Sequence, residues 1–487
     1  MNLPAIGVLV LYFLCMGLLA VYGFHRLGLV LLCRRHRRRP FPAAPGPLEL
    51  PTLTVQLPLY NEIFVAERLL DAVCALDYPK DRLEIQVLDD STDGTADLCR
   101  RKVEEHAARG LRIRHLRRSS RDGYKAGALA AGLREATGDL IAIFDADFVP
   151  PADFARRAVA HFEDPAVGMV QARWGHLNRD YSTLTRVQSI LLDGHFLVEQ
   201  SARNRSGRFF NFNGTAGIWR RSCIEAAGGW QHDTLTEDLD LSYRAQLLGW
   251  RFVFLPDLVA PAELPVQIGA FMSQQHRWAK GSIQTALKVL PRILRSPLPG
   301  RVKSEAVFHL TANFAYVLMT IVSILFFPAM LARQGMRWNS LLGLDFPIFL
   351  LATGSVVAFY LFSQRQVRPE RRGSLRDLPV LMAVGAGLCL NNTRAVLEAL
   401  AGRRTGFVRT PKLRAEGKAL RGDTLTYPGR LSALIALELA LGLYFTGVLV
   451  YAITHRIYAS LPFVLLFQAG YLYTSILALI QAARRVP

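Results

Sequence analysis

Two aspartates one residue apart, Asp145-Ala146-Asp147, follow the apolar run 140–144. Alternate side chains at a strand end point the same way, so both carboxylates can reach one hard divalent cation, the usual partner of substrate phosphates. A solvated acidic turn is the plain alternative. Thr236-Glu237-Asp238 opens a helix-like run that continues to Leu248. A threonine N-cap with acids in the first turn explains those residues without chemistry. Gln274-Gln275-His276-Arg277-Trp278 places an amide, a guanidinium and an indole within about one and a half helical turns. An arginine fork suits phosphate, and a tryptophan face suits the apolar face of a sugar ring. An interfacial helix with a snorkelling arginine accounts for the same residues, and both readings can hold together. Asp89 and Asp90 follow another apolar run and can accept hydrogen bonds from a base or a ribose, or belong to the turn marked by Asp93-Gly94.

These groups need a frame. Residues 53–57, 85–88, 111–116 and 140–144 read as short buried strands. Between them, residues 67–76, 95–106 and 124–136 have helical periodicity. Such alternation implies an α/β, Rossmann-like domain with a mostly parallel sheet. Ligands of such sheets bind beyond the carboxyl ends of the strands, where both acidic clusters fall.

The chain has 487 residues, more than one ordinary domain. Hydrophobic residues reach 51% while charged residues keep 20%, which excludes a disordered chain and a pure membrane bundle. Net charge is +19, from 58 Lys and Arg against 39 Asp and Glu. The excess lies mainly where a membrane protein carries it inside, which argues against nucleic acid as partner. The six cysteines show no close pairing, which speaks against zinc or a disulfide framework.

Residues 1–24 lack charge and are followed by Arg34, Arg35, Arg37, Arg38 and Arg39, the order expected of an N-terminal transmembrane anchor (1–30) rather than a cleaved signal. A Pro-rich linker leads into a soluble block at 50–265, then amphipathic interface helices at 266–300. The region 305–487 holds apolar stretches at about 308–332, 346–364, 378–397, 431–453 and 459–482. If all five spanned, loop 401–430 would lie outside with Arg403, Arg404, Arg409, Lys412, Arg414, Lys418, Arg421 and Arg430 against Glu416 and Asp423. Laying 378–397 in the interface keeps that loop cytosolic. Its uncharged part, 378–393, is only about 24 Å of helix against roughly 30 Å of hydrocarbon. The expectation is four spanning helices and one interfacial helix after the anchor.

In order along the chain stand Pro58-Leu59-Tyr60-Asn61-Glu62, Asp89-Asp90-Ser91, Lys125-Ala126-Gly127, Asp145-Ala146-Asp147, Phe212-Asn213-Gly214-Thr215, Thr236-Glu237-Asp238, Gln274 to Trp278, and Phe407 to Lys412. With these the chain resembles the family-2 glycosyltransferases of GT-A fold, in particular the membrane-embedded cellulose synthase-like, mannan- and glucan-synthase-like group. The resemblance implies an inverting transferase that moves a sugar from a nucleotide-sugar, UDP-glucose first and GDP-mannose next, to a growing β-linked polysaccharide. It implies Asp238, with Glu237, as catalytic; Tyr60, Glu62, Asp89, Asp90, Lys125, Asp145 and Arg277 on the donor; and Asp147 with Asp145 on Mg²⁺ or Mn²⁺. Gln274, Trp278, Asn213, Gly214 and Thr215 would hold the acceptor. Phe407, Arg409, Thr410 and Lys412 would form a gating loop, although the family's FxVTxK reads FVRTPK in this chain. The alternative is a lipid glucosyltransferase adding one or few sugars to a membrane lipid. Expected partners are the donor, a polysaccharide or lipid acceptor, membrane lipids and accessory secretion proteins. The expected location is a bacterial inner membrane, with the catalytic domain cytoplasmic and no cyclic-dinucleotide-binding domain after the last helix.

Overall fold

The structure is a computed structural model describing residues 3–36, 49–335, 347–348, 350–367, 374–403, 405–406, 409–410, 412–415 and 433–483. It opens with α1 (Leu3–His36), whose 34 residues end in Arg34, Arg35 and His36. At 1.5 Å per residue this helix is about 50 Å long, so it outruns a hydrocarbon core and carries its basic turn clear of it.

The α/β block then runs β1 (Leu53–Leu59), α2 (Ala66–Cys74), β2 (Leu83–Asp89), α3 (Thr95–Ala108), β3 (Arg112–Arg117), α4 (Tyr124–Glu135), β4 (Leu140–Ile143) and α5 (Phe154–Val159). It continues with β5 (Val167–His176), α6 (Thr183–Gly194), a π-helical turn at His195–Gln200, α7 (Ser201–Arg205), β6 (Gly217–Arg220), α8 (Arg221–Ala226), α9 (Glu237–Leu247) and β7 (Arg251–Ala262). The seven strands lie in the order β3-β2-β1-β4-β6-β5-β7. All neighbours are parallel except β6, which is antiparallel to both β4 and β5.

Burial explains the strand sequences. β1, β2 and β4 are central and buried along nearly their whole length; β4 is an unbroken apolar run, while β1 and β2 bury Thr54 and Gln56 against Glu84 and Gln86, which hydrogen-bond across the two strands at 2.8 and 3.0 Å. β3 is an edge, and its Arg-Ile-Arg-His-Leu-Arg alternation leaves charge on the open side, which discourages further strand pairing. One core lies on each side of the sheet. Val55, Leu57, Leu69 and Ile85 belong to one, and Leu129, Ile141, Trp219 and Phe254 to the other.

Beyond the sheet come α10 (Ile268–Arg295), α11 (Gly300–Thr311), α12 (Phe314–Gly335), α13 (Ser355–Val367), α14 (Ser374–Gly387), α15 (Cys389–Leu400), α16 (Ala433–Thr454) and α17 (Leu461–Ala483). Among the described residues four helices are long and apolar enough to cross a membrane: Leu3–His36, Phe314–Gln334, Ala433–Thr454 and Tyr458–Ala483. The count becomes five if α14 and α15, bent by 42° at Leu388, form one broken span.

Three differences from the sequence reading follow. The stretch expected at 308–332 breaks at Ala312 and Asn313, so α11 and α12 are separate helices. The segment taken as one interfacial helix at 378–397 is the bent pair α14–α15. The stretch 346–364, expected to span, is described as a π turn at Leu350–Gly354 running into the 13-residue α13, and is not one of the four long apolar helices.

Candidate active site

The parallel half of the sheet delivers its strand ends to one place. Tyr60 and Glu62 follow β1, Asp90 follows β2, and Asp145 to Asp147 follow β4. Lys125 comes from the first turn of α4, Glu237 and Asp238 from the start of α9, and Gln274, Arg277 and Trp278 from one face of α10. All of them line a single cleft of ≈ 200 Å³, together with Asn213, Gly214, Arg409, Thr410 and Lys412.

Each acid in the cleft has a cation or a like charge beside it. The Lys125 ammonium contacts Asp145 Oδ1 and donates to the Gly214 carbonyl at 2.9 Å. Burial works against its charge, but Asp145, Glu237 and Asp238 outweigh burial and hold its pKa above the ordinary lysine value. Lys412 Nζ lies 2.7 Å from Asp147 Oδ2. Arg409 forks onto Glu62 at 3.0 and 3.2 Å. Asp90 receives the Arg118 fork. Glu237 and Asp238 are neighbours deep in the cleft that keep a water-facing edge; burial first, and then the charge of Glu237, pushes Asp238 up to about 7. A carboxylate so tuned accepts a proton near neutral pH.

Two glycines permit the close approaches. Gly214 has φ of +82°, and a Cβ there would stand 3.0 Å from Asp238 Oδ2 and 3.5 Å from Lys125 Nζ. Gly281 lets α10 press against Thr236, where a Cβ would meet Thr236 Cγ2 at 2.5 Å and its backbone nitrogen at 2.9 Å. Leu235 also donates its N–H to Gln284 of α10 at 3.0 Å. Gly281→Ala is therefore expected to destabilise the domain by about 1–3 kcal/mol through overpacking against backbone. Thermal unfolding with and without a nucleotide-sugar checks this. An unchanged midpoint would show that α10 is free to move away from Thr236.

Lys280, on α10, is wholly buried and joins Glu398 of α15 at 3.1 Å and Thr405 at 3.0 Å. His276 reaches the same Glu398 at 3.3 Å. The helix bearing Gln274 to Trp278 is thus tied to α15 and to Thr405, the start of a strap whose described residues are 405–406, 409–410 and 412–415. The strap's far end is held by Glu263, whose Oε1 accepts the N–H groups of Leu413 and Ala415 at 3.0 and 3.2 Å.

Two expected site residues, Asp89 and Thr215, lie outside the cleft lining. Asp89 turns away from the cleft, where it accepts from Ser91 N–H at 2.8 Å and meets His115 Nε2 at 2.8 Å. The reason is strand alternation: Asp89 and Asp90 face opposite sides. Thr215 is buried, and its hydroxyl accepts the Asp145 N–H at 2.8 Å, so it braces the acidic turn from behind. Phe407 lies outside the described residues, as does most of 401–430. Lining residues missed in sequence include Arg121, Trp174, His176, Glu263 and Leu264. Arg121 sits between Tyr60 and Tyr124, 3.3 and 5.0 Å from their ring centres. The signal available for it was an arginine at the mouth of α4.

A divalent ion held mainly by substrate phosphates asks one or two carboxylates of the protein. Asp145 and Asp147 offer that number at the end of one strand, and each pairs with a lysine. Among the described residues no group of three or more His, Cys, Asp or Glu gathers to cage an ion without a substrate. The donor set fits a metal shared with a diphosphate.

Residues 51–281 match the family described as glycosyltransferase like family 2. Glucomannan 4-beta-mannosyltransferase 2 of Arabidopsis thaliana is 44% identical over 256 residues, covering 52% of this chain and 48% of the relative. Glucomannan 4-beta-mannosyltransferase 1 of Oryza sativa subsp. japonica is 41% identical over 304 residues, covering 60% and 57%. The chain thus spans about half the length of the curated relatives it matches. These two relatives are plant proteins and lend no support to the bacterial inner membrane expected from sequence. Among solved structures, a mannosyltransferase of Pyrobaculum calidifontis in complex with GDP-Man and Mn²⁺ superposes with a TM-score of 0.54 at 25% identity, covering 73% of this chain and all of that one. The fold, the order of the motifs and these likenesses agree that residues 51–281 form a glycosyltransferase-like family-2 domain of GT-A fold.

Proposed function

We propose that the chain is an inverting, metal-dependent membrane mannosyltransferase that extends a β-linked polysaccharide from GDP-mannose. The observation that carries this reading is the convergence of Asp90, Asp145, Asp147, Asp238 and Trp278 on one cleft. Likeness to two glucomannan mannosyltransferases and to a structure holding GDP-Man supports mannose over the glucose expected first from sequence.

In this mechanism Tyr60 and Asp90 hold the base, and Lys125 and Arg277 hold the diphosphate. Asp145 and Asp147 would hold Mg²⁺ or Mn²⁺, which supplies charge neutralisation to the departing diphosphate. Asp238 takes the proton from an acceptor hydroxyl as that oxygen attacks the anomeric carbon. The bond from that carbon to the diphosphate breaks on the opposite face, and GDP leaves. One displacement inverts the α-linked donor to a β-linkage. Trp278 offers its face to the acceptor ring. Arg409 and Lys412, which rest on Glu62 and Asp147, exchange those carboxylates for the donor's phosphates as it enters.

The test supplies membranes bearing the chain with radiolabelled GDP-mannose, GDP-glucose or UDP-glucose. An alcohol-insoluble product made from GDP-mannose and cut by an endo-β-mannanase is expected. Label that goes only into organic solvent would replace this reading with transfer to a lipid. Incorporation from UDP-glucose alone would overturn the donor assignment.

A further inference from the structure

The cleft has a second polar region beyond the groups used above. It is built by the end of β5 and the residues after β7, where His176 is in register with Ala262. In the sheet order these strands lie past β4 and β6, on the side opposite β1 and β2. Anything bound there is separated from the base by the Asp145–Asp147 turn.

Its polar atoms are unmet. The His176 side chain is only 5% exposed, and neither ring nitrogen has a hydrogen-bond partner. The Trp174 indole N–H is buried and also unpaired, while its ring is clamped by Phe148 and Phe196 at 5.4 and 5.3 Å between centres. Unsatisfied buried polar groups each cost on the order of 1–3 kcal/mol, so several together around one cleft call for a ligand or water with matching hydroxyls. Burial lowers the His176 pKa to about 4, so the ring is neutral at pH 7, with one nitrogen donating and one accepting. Leu192 and Leu264 close the region with apolar walls. Neutral donors and an acceptor on alternate residues of one strand, between apolar walls, match a neutral pyranose rather than a phosphate or a peptide carboxylate.

The region is braced from behind. Asp193 stands 3.8 Å from His176 Nε2 and takes Arg179 at 2.8 Å and Gln364 at 2.9 Å. Gln364 belongs to α13, so the brace joins the catalytic domain to the helices that follow it.

Resting on the transferase reading above, we propose that Trp174 and His176 form an acceptor subsite for a hexopyranose unit behind the attacking sugar of a β-linked chain. The indole N–H and the two imidazole nitrogens bind its hydroxyls, and the product is drawn along the sheet away from the nucleotide.

Trp174→Phe keeps the clamped ring and removes the N–H, and His176→Asn keeps one donor and one acceptor in changed positions. Transfer to β-1,4-manno-oligosaccharides of two to six units is measured at saturating GDP-mannose, with donor KM and donor hydrolysis measured alongside. Acceptor KM is expected to rise about 3- to 10-fold in each variant, as for a lost neutral hydrogen bond, while donor KM stays within twofold. Unchanged acceptor KM in both variants, or a rise confined to donor KM, overturns the subsite. Saturation-transfer NMR of mannohexaose with the protein, without donor, reads the same site apart from turnover. Weaker hexaose binding in Trp174→Phe supports the subsite even if GDP-mannose proves the wrong donor, and equal binding in variant and wild type overturns it.

Discussion

Asp238→Asn is expected to lower sugar transfer by about 10² to 10⁴ while leaving donor affinity nearly unchanged, as for loss of a positioned general base. The amide keeps the size of the carboxylate and its place against Gly214, where a Cβ would stand 3.0 Å from Asp238 Oδ2. Asp238 Oδ1 accepts the Leu239 N–H at 2.8 Å, a contact the carboxamide oxygen preserves. What the amide lacks is a lone pair basic enough for the acceptor proton. The pH profile gives a second reading. Asp238 acts only when deprotonated, and burial with Glu237 beside it lifts its pKa to about 7. Wild-type transfer at saturating donor should therefore fall as pH drops through about 7, and the residual rate of Asp238→Asn should lose that limb. Near-normal turnover of the variant would remove Asp238 from the mechanism. A retained acid limb would move the titration to another group.

Half of the sheet was legible because its strands are central. β4 is apolar throughout, and β1 and β2 carry enough Leu, Val and Ile to announce themselves, although their Thr54, Gln56, Glu84 and Gln86 are buried as cross-strand pairs. The other half hides. β6 is four residues long, and β5 begins apolar but ends in Arg173, Trp174 and His176, which read as surface until β7 and α6 are packed around them. That is why Trp174 and His176 escaped notice and Asp145 did not. Neighbouring acids show a finer limit. Sequence proposes both Asp89 and Asp90, but only the fold says which one a strand end turns into the cleft. The strap shows a different one. Its basic residues predict an anionic partner, and a diphosphate is the natural guess. Without a donor, the nearest anions are the protein's own Glu62 and Asp147, and Arg409 and Lys412 rest on those.

Removal of divalent metal is expected to lower transfer by about 10² or more, with Mg²⁺ or Mn²⁺ restoring it, because the leaving diphosphate then departs without charge neutralisation. Asp147→Asn should raise the metal concentration for half-maximal rate about tenfold, a loss of ~1.4 kcal/mol in metal binding. The charge of Lys412 makes the argument specific to this chain. Its ammonium is 2.7 Å from Asp147 and nearly buried, so it holds the carboxylate that the metal would use. A metal on Asp147 would have to displace Lys412, and the freed ammonium would then be able to pair with a diphosphate. Lys412→Met should then lower the metal requirement while raising donor KM, the two moving in opposite directions. Metal titrations at fixed GDP-mannose, and donor titrations at saturating Mn²⁺, separate them. Full activity in excess chelator would take the metal from Asp145 and Asp147 altogether. A Lys412→Met enzyme with both constants unchanged would leave the ion pair as a surface that merely closes an empty cleft.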